Sequence, residues 1–228
     1  MTTKISRQLT ISSWNVNGLF KRIDGQRFCK LDDIDFQRKL TSDIIFLCET
    51  HAQLNEALSL EGYRYIANCR TEDNRRSSKR GLGIFIKHSI VKGIKIVDKS
   101  CSEYLWLRLD QQFFGLKRNL FLCCAYIPPA NSTFTLRTGI DKEIFDKIED
   151  SIANWSNQGD IMIMGDLNAH INKNNHDYIP ADANDPLDDI LPNTYIADNT
   201  PPRRNTLTEQ VTNTYGRQLL DLCVSVQL

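Results

Sequence analysis

The sequence predicts an α/β fold in which two packed β-sheets are covered by helices on the outside. Residues 139–157 carry apolar side chains at helical spacing, and a strand-like apolar run begins directly after them at Asp160. Between Gly81 and Asp110, three apolar segments separated by turn residues indicate consecutive strands. Because this meander is mixed with helix–strand units, two packed sheets are favoured. The predicted buried helix face consists of Ile144, Phe145, Ile148, Ile152 and Trp155.

Four predicted strands end in side chains that carry oxygen. Side chains two residues apart on an extended chain point the same way, so Asp166 and Asn168 are expected side by side, as are Asn15 and Asn17. Open α/β sheets build their sites at the carboxyl ends of strands. The strand ends and their residues are 9–14 with Asn15 and Asn17, 43–48 with Glu49, 119–125 with Tyr126 before a double proline, and 160–165 with Asp166 and Asn168.

Each of these positions taken alone has an ordinary structural explanation. Asp and Asn after a strand are common turn formers. A single Glu49 is typical of a solvated strand end, and a single Tyr126 is typical of the edge of a core. The recurrence of oxygen-bearing groups at four strand ends favours a functional site instead.

The residue types at these strand ends indicate metal-assisted chemistry on a phosphate ester. Carboxylate and amide oxygens suit a hard divalent ion, and Mg²⁺ takes one or two carboxylates while keeping waters for phosphate substrates. We therefore expect Glu49 to be the principal metal ligand and Asn17 a neutral one. Asp166 is then free to handle a proton.

In these motifs the chain resembles the endonuclease/exonuclease/phosphatase family, and within it the apurinic-type endonuclease domain of non-LTR (LINE-like) retrotransposons. The resemblance runs in order from about residue 9 to the last residue. The matching stretches are Ser13-Trp-Asn-Val-Asn-Gly-Leu19, Cys48-Glu-Thr-His51, Gly81-Leu-Gly-Ile-Phe-Ile86, Ala125-Tyr-Ile-Pro128, Gly165-Asp-Leu-Asn-Ala169 and Asn213-Thr-Tyr-Gly-Arg-Gln-Leu-Leu-Asp-Leu-Cys223.

The resemblance implies a four-layer α/β sandwich of two packed mixed sheets flanked by helices, and a role for each site residue. Glu49 would bind the catalytic Mg²⁺, with Mn²⁺ as the alternative ion, and Asn17 would lie on the ion's side. Many relatives have an aspartate at the Asn17 position. The other implied roles are phosphate contact for Asn15, a hydrogen bond to a phosphate oxygen for Tyr126, orientation or deprotonation of the attacking water for Asp166, and support of Asp166 and the phosphate for Asn168.

The resemblance also implies a single domain, residues 1–228, that is incomplete at its C-terminus. The family closes its site with two further strands beyond the last helix, one carrying an aspartate and the other a Ser-Asp-His sequence. None of the four histidines, His51, His88, His170 and His176, follows a Ser-Asp pair. We therefore expect the site to lack these two contributions.

The composition is that of one globular domain of ordinary make-up. The 228 residues are 41% hydrophobic, enough for a large core. No signal-peptide pattern opens the chain and no apolar run approaches a membrane span, so a soluble protein is expected. Seven cysteines without a CxxC pair favour reduced, buried thiols in an intracellular setting. Within the cell, the nucleus is the expected location. Those within apolar runs are Cys48, Cys123, Cys124 and Cys223.

The net charge is zero, but the charges are unevenly distributed along the chain. A basic stretch from Arg64 to Arg80 is predicted to contact DNA phosphates. The alternative is a solvated hairpin tip. An acidic stretch rich in Asn and Pro, residues 172–202, is predicted to form a long surface loop. The predicted DNA-contacting residues are Arg75, Arg76, Lys79 and Arg80.

The leading functional hypothesis is a Mg²⁺-dependent DNA endonuclease that nicks one strand at the target site of a retroelement. One alternative is a phosphatase that acts on another phosphate ester. The other is a retroelement-derived remnant that binds nucleic acid weakly and does not turn over.

Overall fold

Two four-stranded β-sheets form the centre of the protein. The computed structural model describes residues 8–52, 56, 58–68, 81–140, 143–172 and 211–226. The strands are β1 (Ile11–Asn15), β2 (Phe20–Ile23), β3 (Gln26–Cys29), β4 (Ile44–Cys48), β5 (Tyr63–Asn68), β6 (Leu82–Lys87), β7 (Ile94–Asp98), β8 (Tyr104–Leu109), β9 (Asn119–Tyr126) and β10 (Gly159–Asp166). The helices are α1 (Ile34–Gln37), α2 (Gln111–Phe114), α3 (Thr133–Thr138), α4 (Ile144–Trp155) and α5 (Thr214–Ser225), with 3-10 helices at Lys30–Asp32 and His88–Gly93.

Both sheets are mixed. The first has the strand order β1-β4-β6-β5 and the second the order β10-β9-β8-β7. In each sheet one pair is parallel, β1 with β4 and β10 with β9, and the remaining neighbours are antiparallel. The carboxyl ends of the two strands in each parallel pair therefore lie together. These are the four strands whose ends carry the predicted site residues.

The two sheets pack face to face through alternate side chains of their strands. Phe46 and Cys48 of β4 lie in the same buried cluster as Leu107 of β8 and Leu122 of β9. A strand presents every second side chain to one face, which explains why the intervening residues belong to the outer layers. The inner faces thus form one continuous core.

The outer faces of the two sheets are covered in different ways. On the second sheet, α4 and α5 bury Ile148 and Tyr215 against Trp106. On the first sheet, the cover consists of the Lys30–Asp32 turn, α1 and loops, whose Leu31 and Leu40 join the cluster around the β4 strand. The predicted α/β fold of two packed mixed sheets with helices outside is confirmed, although the layer on the first sheet contains only short helices.

The amphipathic helix begins later than the sequence predicts. The prediction placed it at residues 139–157, whereas α4 begins at Ile144. Gly139 adopts a left-handed conformation with φ 66° and ends α3, so the chain cannot continue as one helix at that point. The predicted face is nevertheless correct, since Ile144, Phe145 and Ile148 are buried.

The predicted meander is divided between the two sheets. β6 belongs to the first sheet, between β4 and β5, whereas β7 and β8 form an antiparallel pair in the second. The β2–β3 hairpin and β5 were not predicted as strands. β5 contains Arg64 and pairs with β6, so this end of the basic stretch is one arm of a hairpin.

Three of the thiols expected to be buried are buried: Cys48, Cys123 and Cys124. Cys223, on α5, is only half-buried. Within the described part of the chain, no helix has the length and apolar character needed to cross a bilayer. The acidic stretch predicted as a surface loop falls almost entirely outside the described residues.

Candidate active site

The candidate site lies where the carboxyl ends of β1, β4, β9 and β10 meet. In the first sheet Asn15 is paired with Cys48, the residue before Glu49. In the second sheet Asp166 is paired with Tyr126. The two sheet edges are close enough for Asn15 to reach Asp166 directly. The fold therefore brings together residues that are far apart in the chain.

Asn15 joins two carboxylates at this edge. Its Nδ2 donates to Oε1 of Glu49 at 3.0 Å and to Oδ2 of Asp166 at 2.8 Å. The hydroxyl of Tyr126 donates to the same Glu49 oxygen at 2.8 Å. The side chains of four of the six predicted site residues thus form one hydrogen-bonded cluster.

The two strand-end pairs are built as turns, which corrects the expectation that their side chains point the same way. The backbone N–H of Asn17 donates to Oδ1 of Asn15, and that of Asn168 donates to Oδ1 of Asp166, both at 3.1 Å. Asn17 and Asn168 have φ values of 45° and 49°, so the chain is no longer extended at either residue. Asx turns of this kind are what Asn and Asp favour after strands.

These turns determine what Asn17 and Asn168, the second residue of each pair, contact. The side chain of Asn168 donates to the carbonyl of Ile127 at 2.8 Å, so Asn168 holds Asp166 through its backbone N–H rather than through its side chain. Asn17 is exposed at the turn after β1. Its backbone N–H fixes the side chain of Asn15.

The segment after β4 is also left-handed. Glu49 has φ 51° and His51 has φ 53°. For residues other than Gly and Asn such backbone conformations cost about 1–3 kcal/mol each and are concentrated at functional sites. The strain is held by two backbone hydrogen bonds, from Gly18 to the carbonyl of Glu49 and from Leu19 to that of Thr50.

His51 is a site residue that sequence reasoning missed. Its Nε2 lies 3.9 Å from Oε2 of Glu49. A Cβ at Gly18 would come within 2.7 Å of His51 Nδ1, so a glycine is needed for the ring to lie there. The available signal was its position two residues after Glu49, the same spacing that separates Asn15 from Asn17 and Asp166 from Asn168.

The electrostatics of the cluster fit a divalent cation. Glu49 and Asp166 each have an oxygen within 3.0 Å of the same Asn15 nitrogen, so two negative groups are close neighbours. The side chain of Glu49 is 23% exposed and thus accessible to an ion. Within the described ranges no three His, Cys, Asp or Glu side chains gather as a metal-binding group. Mg²⁺ fits this donor set, because it is commonly held by one or two carboxylates and water.

Cys48 lies beneath the cluster and takes no part in it as a thiolate. Burial raises the pKa of its thiol from 9.0 to about 12, and the charge of Asp166 acts in the same direction. The thiol therefore remains protonated at neutral pH and serves as core.

The four predicted DNA-contacting residues, Arg75, Arg76, Lys79 and Arg80, lie outside the described residues. The two ends of their segment are described. The side chain of Asn68 donates to the carbonyl of Tyr104 at 2.7 Å, and Gly81 accepts from the N–H of Thr50, next to Glu49. Both ends of the segment therefore lie at the end of the first sheet that carries the site. Arg64 lies toward the opposite end of β5.

The fold and the cluster define an α/β protein with an acidic site at the strand ends of two packed sheets. The chain belongs to the Endonuclease/Exonuclease/phosphatase family, whose family model matches residues 12–219. The match includes all six predicted residues of the strand-end site. No curated protein sequence matches the chain.

Solved structures with a similar fold include two AP endonucleases. The AP endonuclease LMAP from Leishmania major is 16% identical with a TM-score of 0.53, and the match covers 74% of this chain and 57% of that one. The catalytic domain of APE2 from Xenopus laevis is 19% identical with a TM-score of 0.51, over 72% of this chain and 60% of that one. The chain therefore spans less than two thirds of either protein, and at these identities the likeness shows the fold.

Proposed function

We propose that the protein is a divalent-metal-dependent endonuclease that hydrolyses phosphodiester bonds in DNA. The observation that carries the proposal is the cluster in which Asn15 joins Glu49 and Asp166 across the two sheets. Family membership supports phosphoester hydrolysis, and members of the family generally use divalent metals.

Each residue of the cluster has a task in this reaction. Asp166 accepts a proton from the attacking water, and its carboxylate is held for this by Asn15 and by the backbone of Asn168. Tyr126 fixes Glu49 through its hydroxyl. Asn15 and Tyr126 also carry the hydrogen-bond donors nearest to the carboxylates, where a phosphate oxygen would bind.

Glu49 and Asn17 are the residues that would hold the metal, with Mg²⁺ as the expected ion and Mn²⁺ as the alternative. When bound, the ion would supply positive charge that stabilises the negative charge developing on the phosphate. Because the side chain of Asn17 is neutral, Glu49 would provide the negative charge of the two metal ligands. Its left-handed backbone and its two hydrogen bonds hold its carboxylate in one orientation.

DNA is supported as the substrate by two features. Two of the similar structures are AP endonucleases. The stretch containing Arg75, Arg76, Lys79 and Arg80 lies in the chain between β5 and β6, and Gly81, which follows it, accepts from the N–H of Thr50 next to Glu49. Cations of this stretch would contact phosphates flanking the cleaved bond. The narrower proposal, a retroelement nickase, rests on the motif resemblance from Ser13 to Cys223.

A second substrate class, a small phosphate ester, is favoured by the zero net charge of the whole chain. Affinity for duplex DNA comes mainly from positively charged side chains that neutralise phosphates. A chain with zero net charge has no excess of such side chains. The hydrolytic cluster would serve either substrate.

The test compares three substrates in Mg²⁺ and again in excess EDTA: supercoiled plasmid, a duplex with one abasic site, and p-nitrophenyl phosphate. Nicked plasmid or cleaved abasic duplex that disappears with EDTA supports the DNA endonuclease. Turnover of the monoester alone identifies a phosphatase. No turnover of any substrate by the folded protein contradicts the proposal.

The DNA contacts are tested with matched charge removals. Arg75→Gln with Arg76→Gln should weaken DNA binding and lower its salt dependence, by about one unit of log–log slope for each lost phosphate contact. Lys92→Gln with Lys95→Gln removes the same charge at the far end of the sheets and should leave binding unchanged. Equal effects of the two pairs would exclude a specific role for the basic stretch.

A further inference from the structure

The first residue of the Asn213–Cys223 motif makes contacts that no role proposed so far uses. Asn213 is the N-cap of α5, and its Oδ1 accepts from the backbone N–H of Gly216 at 2.7 Å. The same oxygen accepts from the N–H of His170 at 3.1 Å. Its Nδ2 donates to the carbonyl of Asn168 at 2.8 Å. One side chain thus satisfies a helix end and two peptide groups of the segment that follows the site.

The Asn168 peptide leads directly to the carboxylate of Asp166. Asn168 donates its N–H to Oδ1 of Asp166 and its side-chain N–H to Ile127. The carbonyl of Asn168 accepts from the side chain of Asn213. The turn that orients Asp166 is therefore fixed on its far side by α5.

The segments around Asn213 and His170 are packed as closely as backbones allow. The N–H of Asn213 donates to the carbonyl of His170 at 3.1 Å, and that of Asn172 donates to Oγ1 of Thr212 at 3.0 Å. A Cβ at Gly216 would lie 2.1 Å from the His170 carbonyl oxygen, so only glycine fits there. This close contact with the His170 segment explains both Asn213 and Gly216 of the motif.

The helix that carries Asn213 is rigidly placed. Tyr215 is 1% exposed and its ring centroid lies 5.8 Å from that of Phe145 on α4. Leu222 of α5 and Leu167, next to Asp166, pack in the same apolar cluster. A side chain fixed in this way can hold a turn to within the small tolerance that catalysis requires.

We propose that Asn213 is a positioning residue for the reaction, which sets the Asp166–Asn168 turn from the N-terminus of α5. This inference rests on the proposed function, because it assigns Asp166 a part in hydrolysis. Capping alone does not require asparagine, since Ser, Thr and Asp cap as well. Holding the Asn168 carbonyl requires a donor in addition to the capping acceptor, and asparagine supplies both.

The decisive variant is Asn213→Asp, which keeps the shape and the acceptor of the cap and replaces the donor with a second acceptor. We expect the melting temperature to change by no more than a few degrees. The kcat for DNA cleavage should fall at least tenfold, with KM within twofold. Asn213→Ser, a neutral cap that cannot span the same distance, should also lower kcat. Asp110→Ser, at the N-cap of α2, is the matched control and should leave kcat unchanged.

Amide hydrogen exchange gives a readout that does not depend on activity. In Asn213→Asp the N–H of Asn168 should exchange at least tenfold faster, while that of Gly216 keeps its protection because the cap remains. Wild-type kcat in both Asn213 variants would overturn the proposal, as would a loss confined to the aspartate, which would indicate a charge effect. If the wild type cleaves no substrate, the proposed function fails separately, and unchanged exchange at Asn168 then overturns the positioning role.

Discussion

Replacing Glu49 with glutamine should remove most of the stability that Mg²⁺ gives to this protein. Glu49 provides one of the two carboxylates of the cluster, and its Oε1 accepts from both Asn15 and Tyr126. Glutamine keeps the length of the side chain and an oxygen that can accept these hydrogen bonds. The substitution thus removes the charge and leaves the neighbouring groups in place.

The size of the effect follows from linkage between binding and folding. At an Mg²⁺ concentration about ten times the dissociation constant, binding stabilises the native state by about 1.4 kcal/mol. For a chain of 228 residues this raises the melting temperature by about 3–6 °C. If loss of the carboxylate weakens binding about tenfold, the same Mg²⁺ concentration stabilises the variant by about 0.4 kcal/mol, or about 1–2 °C.

The assay is thermal unfolding of both proteins across an Mg²⁺ titration, with calorimetric titration to obtain the affinities. Glu61→Gln is the control, because Glu61 is exposed at the opposite end of β5 and its loss should not alter the Mg²⁺ effect. Without metal, Glu49→Gln should be no less stable than the wild type, since it relieves repulsion from Asp166. Equal Mg²⁺ stabilisation of wild type and variant would refute Glu49 as the principal ligand.

Three further results are expected. Tyr126→Phe should lower kcat by freeing Glu49 and cost about 1 kcal/mol in unfolding free energy; unchanged kcat would contradict the role of this hydroxyl. Gly165→Ala should destabilise far more than Gly25→Ala in chemical denaturation, because a Cβ at Gly165 would lie 1.9 Å from a backbone carbonyl while one at Gly25 meets nothing within 4 Å; similar losses would be inconsistent with this packing. Burial raises the pKa of Cys48 to about 12, so its stabilising contribution is complete below pH 9.0 and is lost between pH 9.0 and about 12. Cys48→Ala should flatten that alkaline decline, and a decline of the same steepness would disprove the assignment.

The sequence predicted the strand ends well because the signal there is local. An apolar or β-prone run followed by a polar turn former identifies a strand and its end, whatever the rest of the fold does. The convergence of Asn15, Glu49, Tyr126 and Asp166 followed from the rule that open sheets build sites at such ends. Direct contact between Asn15 and Asp166, across two different sheets, is a product of tertiary packing that no local pattern contains.

The errors have a common physical origin in backbone conformation. The expectation that side chains two residues apart point the same way assumes an extended chain. It fails at Asn17 and Asn168, where φ is positive and the side chain two residues earlier closes a turn. His51 was missed for the same reason, because its approach to Glu49 depends on two left-handed residues. The β2–β3 hairpin was missed because its strands are short and mostly exposed, so they lack an apolar period.

We propose that Asp166 handles a proton in phosphodiester hydrolysis and is more than a turn former. Asparagine forms the same turn and keeps an acceptor for the N–H of Asn168, so Asp166→Asn separates the two roles. The measurement is the rate of supercoiled plasmid nicking in Mg²⁺, with Asp160→Asn, at an exposed residue near the other end of the same strand, as control. We expect Asp166→Asn to lower the rate by about 10²–10⁴-fold with a nearly unchanged melting temperature, while Asp160→Asn nicks normally. Nicking by Asp166→Asn at the wild-type rate would contradict this proposal.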